Sequence, residues 1–336
     1  MTFRVIALAA VCLIASAQRK PSSPLDHLPA NTTVLTYFGE RADLSPDDRQ
    51  VAFMAKSFGD AFVLDLQTRE IHCLTCNIPA ASFLRVMHLP SGDFLLAGPE
   101  RFKDIDTSRR AEAELWFLSK RQGSRPVRLG ERVSEGVAIS KYSNKLGWAV
   151  SHRQDSAVPE GRSRIVTAEL ELKGGQPRLV NKRAVHEADS RSCFIEAQDF
   201  YAKDAKMTFT CNEPDGKASV MGLVLATGAV TSFSNAPGTY NEVEAIFPDE
   251  QFVTVEADRQ AQQLGGPGGE ANIDIWKLKL DGTGRSFERL TRFNDYEGWI
   301  ASNPVISRNG QFMVFQVGRS DAEAGVGFGL LLSRFR

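Results

Sequence analysis

Residues able to do chemistry are present in this chain, but their spacing does not assemble a familiar reaction centre. The five histidines, His27, His72, His88, His152 and His186, form no HxH or HExxH pair. A metal site would therefore have to be collected from distant segments, and none is expected. No G-x-S-x-G run occurs, so the strained turn that exposes a hydrolase serine is missing. The glycines at 265, 266, 268 and 269 lie between strand-like runs, with no helix behind them to aim amides at a phosphate. No catalytic residue and no cofactor is assigned. What remains is a set of charged and aromatic residues just past, or between, strand-like runs: Arg101, His152, Arg153, Tyr240, Glu242, Arg259, Trp299 and Arg319. Arginine offers paired donors to carboxylates, and Trp and Tyr offer rigid contact area, so together they suit an anionic or peptide ligand. The plainer alternative is that these arginines pair with acidic neighbours.

Four cysteines follow Cys12: Cys73, Cys76, Cys193 and Cys211. Cys193 and Cys211 are about equally far from a turn near Lys203-Asp204, so a hairpin brings them together as a disulfide. Cys73-Leu74-Thr75-Cys76 ends a strand-like run. A redox-active CxxC needs a helix N-terminus to favour its thiolate, so a local structural disulfide is expected here. Disulfides point to an oxidising compartment. The N-terminus agrees: Arg4, an apolar run from Val5 to Ile14, then Ala15-Ser16-Ala17 read as a signal peptide over 1–17, too short to span a bilayer. Residues 18–31 read as a flexible leader, and 32–336 as a single domain. The expected location is periplasmic or secreted, with no transmembrane segment in the mature chain. The formal net charge is −1, from 40 Lys+Arg and 41 Asp+Glu, which gives no electrostatic drive toward nucleic acid.

The elements that would position these residues repeat. Turn residues Asp47, Ser91, Asn144, Asp204, Asp249 and Asn309 each precede an apolar strand, and they are spaced by 44, 53, 60, 45 and 60 residues. That period matches a propeller blade of about 40–50 residues with loop insertions. A two-layer sandwich has no reason to repeat a turn–strand–strand–strand unit at this period. Helical periodicity is absent except for a short turn within Ser108 to Leu118. The sixth unit has three strands, and Thr33–Phe38 is an orphan strand at the other end of the chain. The fold class is therefore all-β, a six-bladed β-propeller of four-stranded antiparallel blades, with the last blade closed by the N-terminal strand. Phe53, Trp116, Trp148, Phe209, Trp276 and Phe315 occupy strand positions and are expected between blades.

The run Leu44-Ser45-Pro46-Asp47-Asp48 through Phe53 resembles the TolB-type, WD40-like propeller repeat, as do Arg289-Leu290-Thr291 and the pattern Ser302-x-Pro304-x-x-Ser307-x-Asn309-Gly310 through Phe315. The resemblance implies an exported six-bladed propeller used as a binding platform. The expectation is a monomeric, non-enzymatic protein that binds a protein or peptide partner. The alternative is a secreted propeller enzyme, such as a lyase, lactonase or glycan hydrolase, with its site at the channel mouth.

Overall fold

The computed structural model describes residues 18–134, 136–323 and 325–335. The segment read as a signal peptide lies outside them. Six four-stranded antiparallel sheets form, each from consecutive strands except the last. First strands of most neighbouring blades touch, including those of blades 1 and 6, so the sheets stand radially around a central channel. The six-bladed propeller expected from the repeat is thus the observed fold.

Sequence chemistry explains the blades. The second strand of each blade lies between two neighbouring sheets and is buried on both faces. It therefore reads as a mostly apolar run, interrupted by buried threonines in blades 4 and 5 and by Glu256, rather than as an alternating one. Phe94–Gly98 is buried throughout, and Gln50–Met54, Lys145–Ser151 and Phe252–Ala257 nearly so. Phe53, Trp148, Phe209 and Phe315 are buried between blades, while Trp116 and Trp276 are partly covered. The six turn residues all fall between first and second strands. In blade 1 the Ser45 hydroxyl accepts from the Arg49 and Gln50 amides (3.1 and 2.9 Å) and donates to Asp47 (2.7 Å). Ser307 and Asn309 repeat this in blade 6, with Gln311 and Phe312 as amide donors. A local Ser–Asx bond that closes the hairpin is the physical reason this motif recurs.

Blade 6 takes strands Trp299–Ile306, Phe312–Arg319 and Leu330–Arg334, and its outer strand is Thr32–Thr36. Thr32 faces Ser333, Thr33 faces Leu332 and Val34 faces Leu331. Thr32 Oγ1 donates to Ser333 Oγ (3.1 Å), and the Leu330 amide donates to Thr36 Oγ1 (3.1 Å). Residues 18–31 run along blades 5 and 6. There Arg19 donates to the Asn294 carbonyl (3.0 Å) and to Asn272 Oδ1 (2.8 Å), and Leu25 and Leu28 pack on the blade 6 core.

Both disulfides form. Cys193–Cys211 joins the first and second strands of blade 4, and Cys73–Cys76 closes the outer strand of blade 1. The only α-helix among the described residues, α1 (Ile105–Arg110), begins three residues before the expected span, overlaps it at Ser108–Arg110, and leaves Glu114–Leu118 as a strand. Its start is capped by Asp104, which accepts from the Thr107 amide at 2.8 Å.

Packing between blades is tight enough to exclude a methyl group at chosen points. A Cβ at Gly136 would lie 2.5 Å from the backbone N and O of Ala197, which cannot move independently of blade 4. Gly136→Ala should therefore lower stability by about 1–3 kcal/mol in urea titration. Removing residues 18–36 should leave Leu330–Arg334 as an unpaired edge. Size-exclusion chromatography should then show aggregates or an expanded chain rather than the compact species of the full chain.

Candidate functional site: the channel and the loop face above it

All blades begin at the same end of the ring. Loops joining second to third strands, and loops joining one blade to the next, therefore emerge on one face. The Ser–Asx turns emerge on the other. The innermost strands carry charged residues into the channel: Arg41 in blade 1, Arg85 in blade 2, Glu196 in blade 4, and Glu242 and Glu244 in blade 5. Glu256, on the second strand of blade 5, sits directly opposite Glu242 across the ladder. Arg109 reaches the same group from α1, since Arg41, Glu196 and Arg85 act on its charge.

One carboxylate oxygen from each of Glu242, Glu244 and Glu256 lies within 4.8 Å of the others. Like charges this close, and largely withdrawn from water, cannot all ionise. Burial and then Glu256 push Glu242 up to about 7. Burial pushes Glu256 up to about 7 against the pull of the Asn303 amide, and drives Glu244 well above the usual carboxylate range. Glu196 rises to about 6, from burial and the Glu242 charge. On the cationic side, burial and then Arg41 bring Arg109 down to about 10 and also lower Arg85. The cluster is thus a proton-sharing carboxyl group facing a set of arginines. Its remaining oxygens are partly spoken for. The Asn303 amide donates to Glu256 Oε1 (2.5 Å), the Tyr240 hydroxyl donates to Glu242 Oε2, and Arg85 stands 3.6 Å from Glu196.

Toward the turn face the channel opens into a cavity of 140 Å³ lined by Arg41, Arg85, His88, Lys141, Glu244 and Arg308. At the loop face α1 and its Arg109 stand over the cluster. The helix is held there by its neighbours in blade 3. Arg153 grips Asp106 with two nitrogens (3.1 and 2.6 Å), and Gln154 Nε2 donates to the Arg110 carbonyl.

The residues singled out from sequence separate into two groups. Tyr240 and Glu242 join the buried channel cluster. At the rim, Arg153 serves α1. Arg319 pairs with Asp321 through two nitrogens (2.8 and 2.7 Å) and lies 5.1 Å over the Trp299 ring. Arg259 stacks 3.7 Å over Phe287, His152 Nδ1 contacts the Val158 carbonyl at 2.6 Å, and Arg101 is exposed. Sequence reasoning missed Arg41, Arg85, Arg109, Glu196, Glu244 and Glu256. Charged residues near the start of several inner strands were the available signal.

A second feature of the loop face also escaped notice. Tyr37 is 79% exposed, Phe38 40%, Phe102 49%, Ile105 47% and Val326 48%. Each sits in a loop that emerges on this face, from blades 6, 1 and 2. The loops are tied together, since Phe58 packs on Phe102 (5.0 Å between centroids), the Ser57 amide donates to the Gly325 carbonyl (3.0 Å), and Gly39 bridges to Phe328. The remaining large exposed apolar side chains, Ile71, Val127, Tyr142, Leu172 and Val230, are spread over blades 1 to 4, with Tyr142 and Leu172 both in blade 3.

No protein-family model and no curated protein matches this chain. Solved structures do. A putative TolB from Agrobacterium tumefaciens superposes with a TM-score of 0.54 at 15% identity, covering 82% of this chain and 98% of that one. A calcium-binding protein, regucalcin, from the same species gives 0.52 at 12% identity, covering 89% and 92%. TolB from Acinetobacter baumannii gives 0.50 at 12% identity, covering 93% and 66%. At these identities the likeness shows the propeller fold alone.

A carboxyl that holds its proton more tightly when folded contributes stability at low pH. That contribution is lost as pH rises from the unfolded value near 4.5 through the folded values near 6 and 7. Melting should therefore occur higher at about pH 5 than at about pH 8, and Glu242→Gln should shrink the difference by roughly 2–4 °C. Calorimetry at the two pH values checks this.

Proposed function

We propose that this protein is an exported, non-enzymatic binding propeller that docks a protein or peptide partner on its loop face. The observation that carries this reading is the group of exposed apolar side chains, Tyr37, Phe38, Phe102, Ile105 and Val326, on loops held together across blades 6, 1 and 2. Water-facing aromatics gathered on one face, with charged residues such as Arg101 and Lys103 beside them, have the composition of an interface core and its rim. The channel supports the same reading. Its carboxyl cluster lies beneath α1, and the 140 Å³ cavity on the other side falls below the roughly 300–1,000 Å³ of ordinary ligand pockets. Export rests on the signal-like residues 1–17 and on two disulfides, which persist in oxidising compartments. Among the described residues no helix is long and apolar enough to cross a membrane.

The channel carboxylates favour a second reading, a cation-dependent or catalytic site, because three oxygens within 4.8 Å could serve a hard divalent ion. One structural neighbour is described as calcium-binding. Against this, Tyr240 and Asn303 already occupy oxygens of Glu242 and Glu256, and the positive charge of Arg85 and Arg41 acts on the group. Elemental analysis of purified protein separates the readings. Stoichiometric calcium, magnesium, manganese or zinc would transfer the function to the channel.

Phe102→Ser combined with Ile105→Ser removes the Phe58–Phe102 ring contact but no buried side chain, so stability should fall by no more than about 1.5 kcal/mol. Affinity capture from the producing cells should recover a specific protein with the wild type and lose it with the double variant. Identical captures, or none with the wild type, would contradict docking on this face.

A further inference from the structure

A larger concavity lies on the outer wall of the ring, away from both the channel and the loop-face aromatics. Blade 5 ends in an outer strand of only three residues, Phe287–Arg289, whereas blade 6 is built from strands of five to eight. The short strand leaves part of the blade 5 flank uncovered. Between it, blade 6 and the segment carrying Lys20 and His27 is a cleft of 940 Å³. Its depth is apolar: Phe247, Phe293 and Tyr296 are buried, and Met313 and Phe315 line it from blade 6.

The walls of this cleft are cationic. The Lys20 ammonium lies 4.9 Å over the Tyr296 ring, and the Lys277 ammonium lies 4.8 and 4.2 Å over Phe247 and Phe252. Arg292 and Arg334 are exposed at the edge, with Arg334 stacked 5.9 Å over Phe312. Among the described residues none of these four has a carboxylate within ion-pair distance. Arg289, by contrast, is engaged by Asp274 and Asp295, the latter at 2.6 Å. The carboxylates left on the walls are Asp249 and Glu288, fewer than the four cations. A lysine held over an aromatic ring keeps its N–H donors available while its stem covers apolar surface.

We propose that this cleft binds an extended acidic peptide, apolar or aromatic side chains entering between Phe247 and Tyr296 while carboxylates meet Lys20, Lys277, Arg292 and Arg334. The site is independent of the loop face. A ligand of about 940 Å³ corresponds to a few residues of extended chain, whose side chains can meet both the rings and the cations over them.

Fluorescence anisotropy with a labelled hexapeptide of alternating Asp and Phe tests this on the intact protein, with an alternating Lys-Phe hexapeptide and labelled trigalacturonate as comparators. The acidic peptide should bind, weaken as salt is raised, and lose about tenfold in affinity with Lys277→Glu combined with Arg292→Glu. Lys20→Glu combined with Arg292→Glu, confined to exposed positions, should act in the same direction if the first variant folds poorly. Binding unchanged in a folded variant, equal binding of the basic peptide, or no binding of the acidic peptide would overturn the proposal. Binding of trigalacturonate in preference to peptide would overturn it too, by assigning the cleft to an acidic glycan. None of these outcomes bears on Phe102 or Ile105, so the loop-face reading stands or falls separately.

Discussion

The antiparallel pairing of Thr32–Thr36 with Leu330–Arg334 is the contact on which the rest of the molecule depends. A ring of sheets has no internal reason to close unless its last blade is joined to its first. Here the outer strand of blade 6 comes from the opposite end of the chain. Asn31 extends the seam by donating to the Arg334 carbonyl (2.6 Å) and accepting from its amide (2.9 Å). A second tie runs between turns, where Asp48 of blade 1 accepts from the amides of Arg308 and Asn309 of blade 6 (2.8 and 3.1 Å). Closure sets the radius of the channel, and so decides how near side chains from different blades come.

That radius creates the buried charge cluster. Residues from blades 1, 2, 4 and 5 are packed close enough for carboxyls to compete for protons and for burial and mutual repulsion to lower the proton affinity of the arginines, which stay charged. Such a group is strongly destabilising if any partner is withdrawn, and it is weak evidence of net stabilisation when complete. Its effect is geometric. It sets carboxyls of blades 4 and 5 against arginines of blades 1 and 2, among them Arg109 of α1, and α1 in turn carries Ile105 and follows Phe102 on the loop face. The polar interior and the apolar exterior are therefore connected through one short helix, which Arg153 and Gln154 brace from blade 3.

The fold was legible because its determinants are local. A serine hydroxyl that closes its own hairpin leaves the same few residues in blades 1 and 6, an Asx or Ser marks the turn in the others, and an orphan strand at the N-terminus with a three-stranded last unit announces the closure. The channel was mostly not legible. Tyr240 and Glu242 were found because they sit between blades, but Glu256, Arg85 and Arg109 lie at ordinary polar positions of strands or of a loop insertion. Only ring geometry brings together residues as far apart as Arg41 and Glu256. The rim arginines illustrate the reverse: charge at a loop tip drew attention, yet Arg153 and Arg319 grip aspartates while Phe102 and Tyr37 face water. The outer cleft lies where the short outer strand of blade 5 meets the path of residues 18–31, and neither has a pattern of its own.

The proposed recognition takes place on the loop face of a closed ring. It is tested most directly by placing a photo-crosslinking amino acid at position 102 and, as a control, at position 230 on the outer strand of blade 4, then irradiating the producing cells. A discrete protein adduct at 102 and none at 230 is the result this account requires. Adducts of equal yield at both positions, or none at 102, would contradict it.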